Sequence, residues 1–371
     1  MSVDVLHVII GLNRGGAEMM LKRLVLQSQD DVSHMVVSLT DVGVVGKELL
    51  DKGVNVLALG LTSRNFISTF FKLAGLIKRN KPQVLQTWMY HADLFGGVAG
   101  KLVGSRSVYW NIRTTDLSKN SNSRTMLFRK ICALFSYAIP KKIICVADAA
   151  KKIHEEVGYC KKKMLVIENG FDVDLFYRPD LRASARSKFG FSDEDLVVGS
   201  VGRYALVKDQ PNFLHALYHI KKEIPNAKGF LIGRGIGVDN SELMALISRL
   251  GLIDDVVLCG DVNNVPFVLS AMDVFCLHSK TEGFPNVLGE AMAAGLPCVS
   301  TNVGDASKLL GRIEAIVPAE NAEALASTLI STMKMSAIDR EHEGARARAR
   351  VSALYSMNVI VDKYKLAYFD A

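Results

Sequence analysis

Short apolar runs alternate with longer amphipathic stretches through the first half of the chain. Each run is bounded by glycine, proline or polar residues and has the length of a buried strand. The runs are VLHVII (5–10), HMVVSLT (34–40), NVLALG (55–60), QVLQTW (83–88), SVYWNIR (107–113) and KIICVA (142–147). Because the stretches between them suit helices of about 10–15 residues, the pattern predicts βαβ units and a parallel sheet.

The texture changes at residues 164–190, where MLVIENG ends a strand, FDVDLFYRPD is irregular and LRASARSKFG is polar and helical, which indicates a crossing between two domains. The strand pattern then restarts. Further strands are predicted at residues 196–202, 228–233, 256–260, 273–279 and 296–302. Helices are predicted at residues 212–224, 241–250 and 320–334. The sequence therefore predicts an α/β protein with two doubly wound, Rossmann-like domains in tandem. Ligands are expected between them, at the carboxyl ends of the strands.

Composition narrows the class of protein. The chain has 371 residues, too many for most single cores, and 49% of them are hydrophobic, as in globular proteins. Six cysteines show no paired CxxC spacing, which favours buried thiols in a reducing compartment over disulfides or a zinc site. With neither a secretory signal nor an apolar run of roughly 18 residues, the expectation is a soluble cytoplasmic protein.

The net charge of +7 is unevenly distributed. Residues 101–163, called the basic segment below, contain 14 Lys and Arg but 4 Asp and Glu. Apolar side chains alternate with these charges, for example Met126, Leu127, Phe128, Ile131, Leu134 and Phe135. Such a segment could rest on an anionic membrane surface or be a solvated face beside a core-facing helix. A nucleic-acid backbone fits less well, and no nucleic-acid partner is predicted.

A pair of basic residues follows the strand at 196–202. Arg203 comes just past the strand end, and Lys208 precedes a helix whose start is marked by Pro211. An arginine fork and a lysine ammonium can hold a diphosphate without a metal. Gly15 and Gly16, after the first strand, would let a ligand approach the backbone, although a tight turn alone also needs glycine.

The stretch SKTEGFPNVLGEAMAAGLPCVS (279–300) contains two glutamates in apolar, small-residue surroundings. Glu282 lies in the loop after a strand, and Pro285 and Asn286 begin a helix whose first amides suit a phosphate. Glu290 falls about one turn into that helix, where it could bind a ribose diol, while Glu282 would meet the other end of the ligand. The alternative has Glu290 capping a neighbouring loop and Glu282 exposed.

The sequence lacks the motifs typical of metal sites, dinucleotide cofactors and serine hydrolases. The sequence has no DxD, HExxH or Ser-His-Asp arrangement, so neither a metal nor a cofactor is predicted. The glycines of LIGRGIGVD (231–239) do not have the dinucleotide-binding spacing. His91 follows a strand end, where it could act as a base, bind a sugar hydroxyl, or be structural.

Together these motifs resemble the GT-B retaining glycosyltransferases of family 4. The resemblance rests on GLNRGGAE, QTWMYHADLFGG, ENGFD, VGRYALVKDQ, LIGRG and, above all, SKTEGFPNVLGEAMAAGLPCVSTNVGD. It extends from about residue 5 to about residue 330 and is nearest to bacterial O-antigen and capsular-polysaccharide enzymes. It implies two Rossmann-like domains facing across a cleft, at residues 1–175 and 176–354, with a helix at 355–371 packing back on the first.

The resemblance also implies roles for residues at the matching positions. The catalytic set is His91, Arg203, Lys208 and Glu282. The substrate-binding set is Gly15, Gly16, Gly283, Phe284, Pro285, Asn286, Val287 and Glu290, with Glu290 on the ribose. Many family members have His-x-His where this chain has Gln86-Thr87-Trp88, which weakens the role of His91.

The implied activity is transfer of a sugar from a nucleotide diphosphate, such as a UDP-sugar, with retention of anomeric configuration. The acceptor would be a saccharide on a polyprenyl-diphosphate carrier, used for O-antigen or capsule synthesis. The basic segment would then hold the enzyme on the inner face of the cytoplasmic membrane. Two alternatives remain: a nucleotide-sugar epimerase of the same architecture, and a non-enzymatic protein that binds anionic surfaces.

Overall fold

The computed structural model describes residues 3–114 and 123–370, in two compact units. The first comprises Met1–Gly170 with Met357–Ala371, and the second Phe171–Ser356. The chain thus crosses from the first unit to the second after residue 170, where the sequence analysis placed this crossing after residue 175. Residues 115–122, part of the basic segment, lie outside the described residues.

The first unit is built on a parallel sheet of seven strands in the order β3-β2-β1-β4-β5-β6-β7. The strands are β1 Val5–Ile9, β2 His34–Ser38, β3 Asn55–Ala58, β4 Val84–Trp88, β5 Val108–Ile112, β6 Lys142–Cys145 and β7 Met164–Val166. Every residue of β1, β4 and β5 is buried, as expected for strands covered by helices on both faces.

Helices connect these strands. They are α1 Gly16–Ser28, α2 Gly43–Asp51, α3 Phe66–Asn80, α4 Met89–Leu102, α5 Ser123–Phe135 and α6 Asp148–Val157. The last helix of the chain, Met357–Phe369, also belongs to this unit, and its buried residues join the core formed by α1 and the sheet.

The second unit has a parallel sheet of six strands in the order β10-β9-β8-β11-β12-β13. The strands are β8 Leu196–Val201, β9 Ala227–Ile232, β10 Val256–Leu258, β11 Val274–Leu277, β12 Cys298–Thr301 and β13 Ile316–Val317. Of these six strands, β13 alone was not predicted from the sequence, because two residues are too few to produce a pattern. The strand order reverses between β8 and β11, the switch point where ligands bind in such sheets.

Nine helices are described in the second unit. They are α7 Val173–Phe176, α8 Arg182–Phe189, α9 Gln210–Glu223, α10 Ser241–Arg249, α11 Val265–Ser270, α12 Asn286–Ala293, α13 Ala306–Leu310, α14 Ala322–Met333 and α15 Ala337–Tyr355. The helix Met357–Phe369 of the first unit, which follows them in the chain, is called α16. The predicted α/β class with two doubly wound sheets is confirmed. Among the described residues, no helix has the length and hydropathy needed to cross a bilayer.

Candidate functional site

Three predicted site residues lie on neighbouring loops of the second unit: Glu282 and the basic pair Arg203 and Lys208, which is called the clamp below. Strands β8 and β11 pair in parallel, so their carboxyl ends lie side by side. The loop after β8 carries Arg203 and Lys208, and the loop after β11 carries Glu282. The switch point of this sheet therefore brings the loop of Arg203 and Lys208 next to the loop of Glu282, which lies about 75 residues later in the sequence.

Lys208 and Glu282 bind each other directly. The Lys208 ammonium lies 2.6 Å from Oε1 of Glu282, and the Ser279 hydroxyl donates to the same oxygen at 2.7 Å. Both charged side chains are largely buried, with 22% and 13% of their surfaces exposed. Since a buried cation and carboxylate are costly when unpaired, each neutralises the other here, and a phosphate could replace the carboxylate beside the lysine.

Arg203 is exposed, and its backbone is held in place. Its carbonyl oxygen accepts a hydrogen bond from the Gln210 side chain at 3.0 Å. The loop after β9 packs closely against this segment: a Cβ on Gly233 would lie 2.2 Å from the Gly202 carbonyl oxygen. Gly233 has φ of +144°, which favours glycine. This glycine, in the LIGRG motif, supports the loop of Arg203, a role that the sequence pattern alone did not show.

The loop before α12 is held from two sides. Phe284 is buried, and its ring stacks on that of Phe171 at 6.1 Å. On the other side the Asp305 amide donates to the Gly283 carbonyl at 2.9 Å. Gly304, with φ of +52°, permits this approach, because a Cβ there would lie 2.2 Å from the Gly283 oxygen. The segment that leads into α12 therefore has little freedom to move.

Helix α12 begins as predicted. Pro285 is the N-cap residue, and its carbonyl accepts the Leu288 amide at 3.0 Å. Asn286 is the first helical residue, and Glu290 falls one turn later, about 6 Å along the axis. Asn286, Val287 and Glu290 are all partly exposed. This geometry is compatible with a ligand along the helix start. The alternative required an exposed Glu282, whereas the Glu282 side chain is 13% exposed and paired with Lys208.

In the first unit, Gly15 and Gly16 lie at the start of α1. Gly15 is the extended N-cap residue. A Cβ on it would lie 2.3 Å from Oε2 of Glu18, so the Glu18 carboxylate folds back beside the helix start. Partial burial raises the pKa of Glu18. The helix dipole stabilises a carboxylate at this position. The spacing of Gly15 and Glu18, which resembles that of a capping box, was the signal in the sequence that could have indicated it.

His91 lies in the first turn of α4. Its ring contacts that of Phe128 on α5, with centroids 4.4 Å apart. Partial burial lowers the pKa of His91, so its imidazole is neutral near pH 7. Met89, two residues earlier, has φ of +70°, a strained conformation for a side-chain-bearing residue at a strand–helix junction.

Gln86, Thr87 and Trp88, at the end of β4, have structural partners. Gln86 accepts a hydrogen bond from the Tyr368 hydroxyl at 2.9 Å. Thr87 donates to the buried Asp93 carboxyl at 2.5 Å, and burial raises the pKa of Asp93 well above its usual value. The Trp88 indole donates to Nδ1 of His7 at 3.2 Å. These buried side chains hold the end of β4 rather than present groups to a ligand.

Titratable side chains that could bind a metal are also dispersed. Within residues 3–114 and 123–370, no group of three or more His, Cys, Asp or Glu side chains is arranged to hold a metal ion. The described polar groups at the switch point are instead suited to binding an anion through Lys208, Arg203 and the start of α12.

Two protein-family models match the chain. The model described as Glycosyltransferase Family 4 matches residues 14–175, and the model described as Glycosyl transferases group 1 matches residues 182–350. Together they cover most of both units.

Curated relatives and solved structures agree with these matches. The Escherichia coli UDP-Gal:alpha-D-GlcNAc-diphosphoundecaprenol alpha-1,3-galactosyltransferase is 25% identical over 69% of this chain and 68% of its own. The Staphylococcus aureus capsular polysaccharide biosynthesis glycosyltransferase CapH is 24% identical over 83% of each. Anabaena HepE, crystallised with UDP, superposes with a TM-score of 0.86 at 21% identity, covering 100% of both chains. None of these comparisons supports the epimerase alternative.

Proposed function

The chain belongs to the GT-B glycosyltransferases of family 4, and from that premise we propose that it transfers a sugar from a UDP-sugar to a lipid-linked saccharide. At the coarser level it is a glycosyltransferase of bacterial polysaccharide biosynthesis. UDP as the donor nucleotide is supported by the HepE complexes with UDP and UDP-glucose. The acceptor class is supported by the diphosphoundecaprenol in the name of the E. coli relative.

The Lys208–Glu282 ion pair at the switch point is the observation that carries the proposal. A donor diphosphate entering beside Lys208 would replace the glutamate as the partner of the ammonium. Glu282 would then be released to accept hydrogen bonds from hydroxyls of the donor sugar, as the family resemblance implies. The Lys208 ammonium faces an anion in both states, first the Glu282 carboxylate and then the diphosphate, and Arg203 supplies a second cation for the added charge.

The reaction follows from the groups at this site. The bond between the sugar C1 and the β-phosphate oxygen breaks, and C1 bonds to the acceptor oxygen on the same face, which retains the anomeric configuration. The proton of the acceptor hydroxyl passes to a β-phosphate oxygen. Lys208, Arg203 and the amides at the start of α12 stabilise the charge that develops on the diphosphate, so no metal ion is needed. His91 remains a candidate for binding the sugar.

The direct test is to incubate the protein with UDP-sugars in the presence of EDTA, with and without a lipid-linked saccharide. We expect sugar transfer only when the acceptor is present. NMR of the product should show the same anomeric configuration as in the donor. Epimerised nucleotide sugar formed without acceptor would support the epimerase instead. Loss of transfer in EDTA would contradict metal independence.

We further propose that the first unit rests on an anionic membrane surface through the basic segment. On α5, Leu127 and Leu134 are 58% and 74% exposed. A second set of exposed apolar residues, Phe66, Ile67 and Phe71, lies on α3, and residues 59–83 around it contain no Asp or Glu. Exposed apolar side chains on basic helices suit the interface of an anionic bilayer.

Flotation with phosphatidylglycerol vesicles tests this surface. We expect binding at low salt that weakens as salt rises and is lost on neutral phosphatidylcholine vesicles. The L127S/L134S variant should bind less tightly. The I338S variant, with a side chain of similar exposure in the second unit, should not. Equal flotation of both variants would exclude α5 from the contact.

A further inference from the structure

The loop that carries Lys208 combines strain with exposure. Residues Leu206–Lys208 form a single 3₁₀ turn, and Asp209 follows in the left-handed region with φ of +56°. Leu206 is 80% exposed. A non-glycine residue at positive φ persists only where its surroundings hold it, so this turn requires anchors elsewhere in the unit.

His278, the first residue after β11, supplies one anchor. It is 3% exposed, and its Nδ1 lies 2.6 Å from the carbonyl oxygen of Lys208. Because a carbonyl can only accept, Nδ1 carries the proton and donates it. A second anchor lies two residues on, where the Lys280 amide donates to the Val207 carbonyl at 2.9 Å. The segment after β11 thus holds the loop after β8 at two consecutive carbonyls.

The other nitrogen of His278 has no visible structural use. With Nδ1 protonated in the neutral ring, Nε2 is an acceptor; it is buried and has no hydrogen-bond partner among the described residues. The ring packs against Phe213, with centroids 5.3 Å apart, in an apolar setting that an aromatic hydrocarbon would fill without an unsatisfied atom. The hydrogen bond to Lys208 is therefore the feature that an imidazole provides here and a phenyl ring would not.

We propose that His278 is a positioning residue for Lys208, and that through its bond to the Lys208 carbonyl it directs the ammonium to the donor diphosphate. This inference rests on the proposed function, because Lys208 is taken to bind the diphosphate. The hydrogen bond from His278 fixes the backbone of Lys208. The Lys208 side chain extends from there past Gly202 to Glu282. Burial lowers the pKa of His278 to about 4, so the ring remains a neutral donor near pH 7.

The test compares nucleotide binding by three variants. H278F keeps a ring and removes the bond, H278N retains a donor near the position of Nδ1, and C276A is a control that shortens a buried side chain on β11. The probe is whichever of UDP, GDP and ADP binds the wild type most tightly in calorimetry, together with its monophosphate. We expect H278F to bind the diphosphate roughly tenfold less tightly and the monophosphate normally, with H278N and C276A close to wild type.

A double-mutant cycle with Lys208 separates positioning from general damage. If His278 acts through Lys208, H278F should have no further effect on diphosphate affinity in a K208A background. Unchanged diphosphate binding by H278F, equal loss of diphosphate and monophosphate, or additive effects with K208A would each overturn the inference. If the wild type binds none of the diphosphates, the proposed donor site is wrong. If the wild type binds a diphosphate and H278F binds it equally well, the donor site stands and only the role of His278 is wrong.

Discussion

At the scale of single residues, His7 and His34 are kept neutral by burial, and their ring nitrogens form one directed chain of hydrogen bonds. The Trp88 indole can only donate, so Nδ1 of His7 accepts and its Nε2 donates to Nδ1 of His34 at 3.1 Å. Nε2 of His34 then donates to the Ser28 hydroxyl at 2.8 Å, and that hydroxyl donates to the Leu24 carbonyl at 2.6 Å. A proton added to either imidazole would leave two donors facing each other.

Stability should therefore fall in mild acid. Burial lowers the pKa of His34 to about 4 and that of His7 well below its usual value. Unfolded histidines titrate near pH 6.5, so the unfolded state binds more protons between about pH 6.5 and 4. The free energy of unfolding should fall by at most about 1.4 kcal/mol per pH unit for each such histidine. Urea unfolding at pH 7 and pH 5 measures this.

The H34Q variant is the control for that experiment. It removes one titrating ring, so its free energy of unfolding should depend less steeply on pH than that of the wild type. An unchanged pH dependence would show that His34 is protonated equally in the folded and unfolded states.

Arg203 and Lys208 are the two cations expected at the donor diphosphate. If Arg203 and Lys208 stabilise the charge on the leaving diphosphate, R203A and K208A should each lower turnover on the order of 10²-fold, as for other lost transition-state donors. Steady-state rates with saturating donor provide the measurement. R234A, which replaces an exposed cation in the next loop, is the matched control. Near-normal turnover in R203A or K208A would remove that residue from the clamp.

At the scale of elements, the small residues of LGEAMAAG allow close packing around α12. A Cβ on Gly289 would lie 2.1 Å from the Phe171 ring. At the end of the helix, a Cβ on Gly344 of α15 would lie 1.8 Å from the Gly295 carbonyl oxygen. The helix that carries Glu290 is thus fixed on one side by an aromatic ring and on the other by a second helix. Its small and apolar residues serve this packing.

Replacing Gly289 by alanine tests that packing. The G289A variant should be destabilised by about 1–3 kcal/mol, because the added methyl overlaps the Phe171 ring. G75A is the control: Gly75 is exposed within α3 and has no atom within 4 Å of an added Cβ, so its replacement should stabilise by up to about 1 kcal/mol. Thermal unfolding of both variants measures the difference. Destabilisation of G75A as well would mean that helix glycines are needed for another reason.

At the scale of the whole molecule, the first unit depends on the end of the chain. The buried face of α16 contributes Met357, Ile360, Val361, Tyr364 and Tyr368 to the core of this unit. Its tyrosines are also hydrogen-bonded to the sheet: Asn111 donates to the Tyr364 hydroxyl, and Tyr368 donates to Gln86. Residues more than 180 apart in sequence therefore complete one core.

A chain that ends at Ser356 should retain a folded second unit and lose a stable first one. Loss of α16 would expose apolar core residues and leave Gln86 and Asn111 without these buried partners. Limited proteolysis should then cut within residues 1–170, while UDP still protects residues 171–356. Equal resistance of the first unit in the full and shortened chains would contradict this.

Several features were determined by the sequence alone. Apolar runs spaced by helical stretches specify two parallel α/β sheets, because a strand covered on both faces must be apolar along its length. The turn residues around Pro285 and Asn286 likewise specify where α12 begins, since capping is a local effect. The motif match to the family required no coordinates, as its residues are adjacent along the chain.

Contacts between distant residues were decided only by the tertiary structure. Sequence spacing could place Lys208 and Glu282 near strand ends, but their pairing at 2.6 Å depends on β8 and β11 being neighbours in the sheet. The bond from His278 to the Lys208 carbonyl depends on the same neighbourhood. Burial likewise fixed the neutral state of the histidines, because a pKa follows the surroundings of a side chain and not its position in the sequence.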